Sequence, residues 1–153
     1  MQEFGEIGLA SITKNFEVGG RYSEAGSWRG GDKKWKPLSI VTLLGGEAFG
    51  EKGKGKFRKK KDGSLTKRGQ KRLDGKKILI GQGNLLNSIS SKADIDSVQW
   101  GTNMIYAAIH NFGGKAGRGK KVDIPARPYL VLQDQDLDEM TAVLDDYLTG
   151  DFQ

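Results

Sequence analysis

Tyr106-Ala107-Ala108-Ile109-His110-Asn111-Phe112-Gly113-Gly114 and Ile124-Pro125-Ala126-Arg127-Pro128-Tyr129-Leu130 flank a short Gly/Lys loop, and the fold turns on this stretch. The spacing of its first part predicts a helix over 104–112. Thr102 or Asn103 is placed to cap it, and Gly113 to stop it in a left-handed conformation. Residues 114–121 read as a Gly/Lys loop. Pro125 and Pro128 disfavour helix in the residues before them, so 122–132 is predicted to be extended. Arg127, between these prolines, sits on a stiffened backbone that presents its planar fork at little entropic cost. That geometry suits bidentate contact with an acid, and the candidate partners lie in the acidic segment 134–139.

Outward from this centre, the pattern continues in both directions. Leu9, Ile12 and Phe16 stand at helical spacing, which predicts a short helix over 6–16 ended by Gly19 and Gly20. Pro37 can open a second helix running into Ile40-Val41-Thr42-Leu43-Leu44. Ile89, Ser91 and Ala93 alternate with their neighbours, as do Val98 and Trp100, and 94–96 can turn the chain between them. This is a hairpin signature. Asp136 with Glu139 resembles a capping box opening a final helix, on which Leu137, Met140, Leu144, Tyr147 and Leu148 share one face and Gly150 is the stop. The predicted fold class is α+β, a small antiparallel sheet packed with two or three helices.

Composition sets limits on this picture. At 153 residues the chain reads as a single domain. Its 23 glycines are about 15% of the residues, roughly twice the usual share, so much of the chain must be loop. Residues 45–77 have few large apolar side chains and many glycines and lysines, and read as a long mobile basic loop. Cysteine is absent, which removes disulfides and thiolate metal sites and fits a reducing compartment. The N-terminus lacks the pattern of a signal peptide, and no stretch approaches the ~18 apolar residues that span a bilayer. The net charge of +6 is unevenly spread. Residues 31–77 hold 16 Lys/Arg and 5 Asp/Glu, whereas 130–153 hold 7 acids and no Lys or Arg. Such polarity steers polyanions, or draws identical subunits together head to tail.

No catalytic constellation accompanies the central motif. His110 is the sole imidazole, and its own helix offers Asn103 and Asn111 but no carboxylate. His110-Asn111 has a faint likeness to a nuclease motif, without the further ligands such a site needs. Asp94 and Asp96 read as a polar turn rather than a cation site. The glycines at 50–55 and 113–119 lack the spacing of a phosphate loop. The run Lys56-Phe57-Arg58-Lys59-Lys60-Lys61 mixes cations with an aromatic, which suits salt-sensitive, sequence-blind contact with nucleic acid. Trp28 and Trp35 are candidate interface anchors, and Trp100 a core residue.

The motifs together resemble the phage virion morphogenesis family, the tail-completion-like proteins of Mu-like phages and prophages. The resemblance runs in order along residues 10–148. Phe16 is followed by Trp35-Lys36-Pro37-Leu38-Ser39 and Thr42, similar to Phe … W-x-x-L-S-x-x-T. A variable basic insert precedes Ile78-Leu79-Ile80 and Gly83-Asn84-Leu85-Leu86-Asn87-Ser88-Ile89, similar to G-x-L-x-x-S-I. Val98 and Gly101 lead to Tyr106–Gly114, close to Y-A-x-I-H-x-F-G-G, and Ile124–Leu130 matches I/V-P-A-R-P-F/Y-L. Related elements also occur in head–tail connector and tail-terminator proteins.

This resemblance implies a structural protein with no enzymatic activity, cofactor or metal, acting at tail completion or head–tail joining. It implies a ring of identical subunits in contact with other tail or connector proteins. It also implies a virion component assembled in the bacterial host cytoplasm, without a membrane partner. Trp35, His110, Phe112, Arg127 and Tyr129 are then the interface candidates. The alternative function is a nucleic-acid-binding module that uses Lys56, Arg58, Lys59, Lys60 and Lys61.

Overall fold

The computed structural model describes residues 1–38, 67 and 76–150. The helix expected after Pro37 and nearly all of the basic loop expected at 45–77 lie outside the described residues. So do Lys56, Arg58, Lys59, Lys60 and Lys61.

The chain forms helix α1 (Gln2–Val18), a single helical turn α2 (Asn84–Asn87) and strands β1 (Ser90–Ala93) and β2 (Val98–Gly101). Helix α3 (Ala107–Phe112), strands β3 (Gly114–Ala116) and β4 (Val122–Ile124) and helix α4 (Asp134–Thr149) follow. Two separate antiparallel two-stranded sheets result, β1–β2 and β3–β4. The fold is α+β, with the β1–β2 hairpin and α4 packed against α1.

Helix α1 has 17 residues and begins four positions earlier than the sequence predicts. Gly5 and Gly8, which weaken a helix pattern, are here packing positions. The buried face runs through Gly5, Gly8, Ser11, Ile12, Asn15 and Phe16, with Leu9 at its edge. A Cβ on Gly8 would overlap the Trp100 indole, and one on Gly5 would lie 3.0 Å from Ser91 Oγ. The Trp100 Nε1 donates to the Gly5 carbonyl at 3.0 Å, locking the ring against the bare helix backbone. Gly19 ends the helix in the left-handed conformation that the sequence predicts.

The expected first hairpin forms, with Ser91 opposite Trp100 and Ala93 opposite Val98. Its turn closes through Asp94 N–H to the Ser97 carbonyl (2.7 Å), and Asp94 Oδ1 accepts from Ile95 N–H. Asp94 thus serves the turn.

Three local expectations change. Helix α3 starts at Ala107 rather than 104, and Tyr106 at its N-cap makes no side-chain cap bond. Thr102 Oγ1 instead accepts from Met104 N–H and is joined to Ser88 Oγ at 2.6 Å, which ties α2 to the end of β2. Gly113 has φ 76° but ψ 176°, so it swings the chain outward instead of closing a left-handed cap. A Cβ there would lie 2.7 Å from the Ala126 nitrogen, so only glycine fits. The predicted loop 114–121 contains β3 and a tight turn at Arg118–Lys120, forming a second hairpin with β4. The last helix starts at Asp134. Its capping box pairs Gln133 with Asp136, one turn before the Asp136–Glu139 pair suggested by sequence.

The core gathers Ile12, Phe16, Trp35, Leu85, Ala107 and Tyr129. Phe16 lies edge-on to Trp35 (5.5 Å between centroids) and tilted on Tyr129 (5.2 Å). Trp100 packs at its margin, as expected.

Candidate functional site

Residues 127–132, Arg-Pro-Tyr-Leu-Val-Leu, run through this core without joining either sheet. A buried extended chain must still satisfy its amides and carbonyls. Here side chains and loop backbone supply the partners. Arg127 N–H donates to the His110 carbonyl at 2.8 Å. The Pro128 carbonyl accepts from Trp35 Nε1 at 2.7 Å. Asn15 Nδ2 donates to the carbonyls of Tyr129 (3.0 Å) and Val131 (2.9 Å). Asn111 Oδ1 accepts from the amides of Tyr129 (3.0 Å) and Leu130 (3.3 Å). Leu132 closes the segment, donating to the Trp28 carbonyl and accepting from Gly30 N–H. Two buried asparagines, one from α1 and one from α3, therefore satisfy carbonyls and amides of one extended segment.

Asn15 is itself fixed from behind. Its Oδ1 accepts from Arg21 Nε at 2.8 Å, and Arg21 also reaches the Ser11 carbonyl and hydroxyl. Ser11 donates to Asp136, and Gln133 donates to the Arg21 carbonyl. This polar knot joins α1, the 21–36 loop and the start of α4.

The five candidates read from sequence divide by burial. Trp35, Arg127 and Tyr129 lie inside the subunit, and His110 is half-buried beside them. Phe112, at the end of α3, is 62% exposed. Among the described residues, Arg127 has no acid as a partner. Its Nε donates to the Lys36 carbonyl at 3.2 Å, and burial lowers its pKa. Prolines that stiffen this backbone also hold it within the core, and the guanidinium follows inward. Asn15 was not a candidate on sequence grounds. The signal was an asparagine one turn beyond Ile12 on the buried face, a position where a polar side chain needs a buried partner.

Tyr129 donates its hydroxyl to the Ala107 carbonyl at 3.2 Å, and burial pushes the phenol up to about 12. An unfolded tyrosine ionises near pH 10. The raised folded pKa makes Tyr129 a source of stability that is intact below pH 10 and is lost as pH rises toward 12. Denaturation midpoints for the natural protein are expected to fall over that interval. Tyr129→Phe should start about 1 kcal/mol less stable but show a shallower fall. Equal slopes for the two proteins would contradict the assignment.

His110 Nδ1 is buried with no hydrogen-bond partner among the described residues, and its ring meets Tyr106 edge-on at 5.9 Å. Burial, and then the Arg127 guanidinium, push its pKa below the ordinary value. Protonation therefore favours the unfolded chain, and this contribution is lost as pH falls below about 6.5 toward the folded pKa. Unfolding by urea at pH 7.5 and 5.5 tests this. The stability lost between them should be smaller in His110→Phe.

Among the described residues, no helix is long and apolar enough to cross a membrane. No solved structure matches the chain at a significant level. Two curated relatives do. Mu-like prophage FluMu G protein 2 of Haemophilus influenzae is 49% identical over 79 residues, covering 47% of this chain and 57% of that protein. An uncharacterized protein of Methanocaldococcus jannaschii is 38% identical over 101 residues, covering 63% of this chain and 54% of that one. The chain thus spans little more than half the length of each. The model of the phage virion morphogenesis family matches residues 49–149, which include α2, α3, both hairpins, the clamped segment and α4. The chain belongs to the phage virion morphogenesis family.

Proposed function

We propose that the protein is a structural subunit of a phage or prophage tail, acting at tail completion or head–tail joining as a ring of identical subunits. It catalyses no reaction in this reading. The observation that carries it is the surface of a subunit otherwise well packed: Ile105 is fully exposed, Ile95 is 90% exposed, and Trp28, Phe112 and Val122 are largely so. Exposed apolar side chains standing singly are ordinary on a protein surface; in a chain of a virion morphogenesis family they are candidates for contacts with other chains. Phe112 and Ile105, at the two ends of the α3 region, are then contact residues. Trp35, Arg127 and Tyr129 act from inside by fixing the segment that supports α3.

Light scattering and electron microscopy of the purified protein test this reading. Closed oligomers of one size are expected, alone or on tails lacking the protein. A chain that stays monomeric under both conditions overturns it. A second reading, nucleic-acid contact through Lys56, Arg58, Lys59, Lys60 and Lys61, draws on the +11 balance of residues 31–77. It requires DNA affinity that falls steeply with salt and is lost when Lys59, Lys60 and Lys61 are neutralised.

A further inference from the structure

Two surface features of this subunit are complementary to each other. One is a groove of about 640 Å³ between the start of α1, the β1–β2 turn and the second half of α4. Phe4, Ala93, Ile95, Val143 and Leu144 give it an apolar floor, and Glu3 and Asp94 lie in its wall. The apolar face of α4 was expected to be covered, since Leu137, Met140, Leu144 and Leu148 share it. Only Met140 of these is buried. The helix meets α1 through its first half and leaves the remainder of its apolar stripe open.

The other feature is the β3–β4 hairpin, Gly114–Ile124. It carries Lys115, Arg118, Lys120 and Lys121 against the single acid Asp123, and all four cations are exposed. Val122 adds an exposed apolar side chain on β4. The tip is held in an uncommon conformation. Lys120 has φ 54°, and its N–H donates to the Gly117 carbonyl at 3.0 Å. The left-handed region is unfavourable for a non-glycine residue, and here that conformation puts a lysine at the apex of the hairpin.

We propose that the basic hairpin of one subunit docks in the acid-rimmed apolar groove of the next copy, forming the repeating contact of the ring. The inference rests on the ring reading above and names its interface. Opposite charge sets orientation and rejects like-with-like pairing, while the apolar floor and Val122 supply burial. The groove and hairpin share no residue, so the contact is heterologous. Such contacts propagate from subunit to subunit and close into a ring when the rotation between neighbours divides a full turn.

The absence of native cysteine permits a clean test. Ile95→Cys and Lys120→Cys subunits, made separately and mixed under mild oxidation, should cross-link to each other in preference to themselves. In parallel, Lys120→Glu/Lys121→Glu should weaken assembly at least tenfold, as should Ile95→Asp/Leu144→Asp. Mixing these two assembly-defective variants should restore one intact contact and give 1:1 pairs that grow no further. All the substituted residues except Leu144 are at exposed turns, and circular dichroism checks folding. Natural protein that assembles while both double variants assemble equally well overturns this interface but leaves the ring reading standing. Random cross-linking, or mixtures that remain monomeric, also overturn it. Failure of the natural protein to assemble at all overturns the ring reading itself.

Discussion

Asn15→Asp is expected to lower the unfolding free energy by about 3–5 kcal/mol, a large part of the 5–15 kcal/mol typical of a domain. The substitution keeps size and shape. It replaces the amide that donates to the Tyr129 and Val131 carbonyls by an oxygen that can only accept. Each buried carbonyl left without a donor costs about 1–3 kcal/mol, and a carboxylate facing two carbonyl oxygens adds repulsion. Arg21 keeps its contact and offsets part of the loss. Asn111→Asp provides the contrast. Asn111 holds amides of the segment through its oxygen, so the aspartate keeps both bonds from the Tyr129 and Leu130 amides. Its loss should be less than half as large. Urea denaturation of the two variants decides the matter. Similar losses for both, or a loss below about 1 kcal/mol for Asn15→Asp, would remove the case for an asparagine clamp.

Gly8→Ala should destabilise the protein by about 2 kcal/mol, although alanine is the better helix former. Propensity favours the change by about 1 kcal/mol. Against it, the new methyl overlaps three atoms of the Trp100 indole. That ring cannot easily retreat, because its nitrogen is bonded to the Gly5 carbonyl. Overpacking costs about 1–3 kcal/mol and at times more, so sterics win. Adding Trp100→Leu opens the space, and the paired substitutions should be less harmful than the sum of the single ones by about 1–2 kcal/mol. Thermal or urea melts of the four proteins measure this coupling. Simple additivity would mean that Gly8 and Trp100 do not define the packing of α1 on the hairpin.

These two positions also show where sequence patterns stopped being informative. The β1–β2 hairpin could be read because its alternation and its Asp-rich turn are local signals. Gly19 and Gly150 were legible as helix stops for the same reason, and both adopt the left-handed conformation. Helix α1 was foreshortened because Gly5 and Gly8 look like breakers until Trp100 and Ser91 are seen against them. The capping box was misplaced by one turn because Gln133 is an uncommon cap. The β3–β4 hairpin was hidden, since its strands are three residues each and β3, Gly-Lys-Ala, lies in a Gly/Lys stretch that reads as loop. Of the site, the clip and its neighbours His110 and Tyr129 stood out. Asn15, 114 residues distant in sequence from Tyr129, did not.

The sequence alone determined the order of elements around the clip, the existence of the first hairpin, the uneven charge and the family. These depend on neighbours within a few residues or on an ordered series of motifs. Only the tertiary structure decided which polar side chains enter the core and which way Arg127 turns. It also decided which half of the apolar stripe on α4 is covered. A hydrogen-bond donor or a bare backbone has no fixed value until the group it faces is known. For Asn15, Gly8 and Arg127 that group comes from a distant part of the chain.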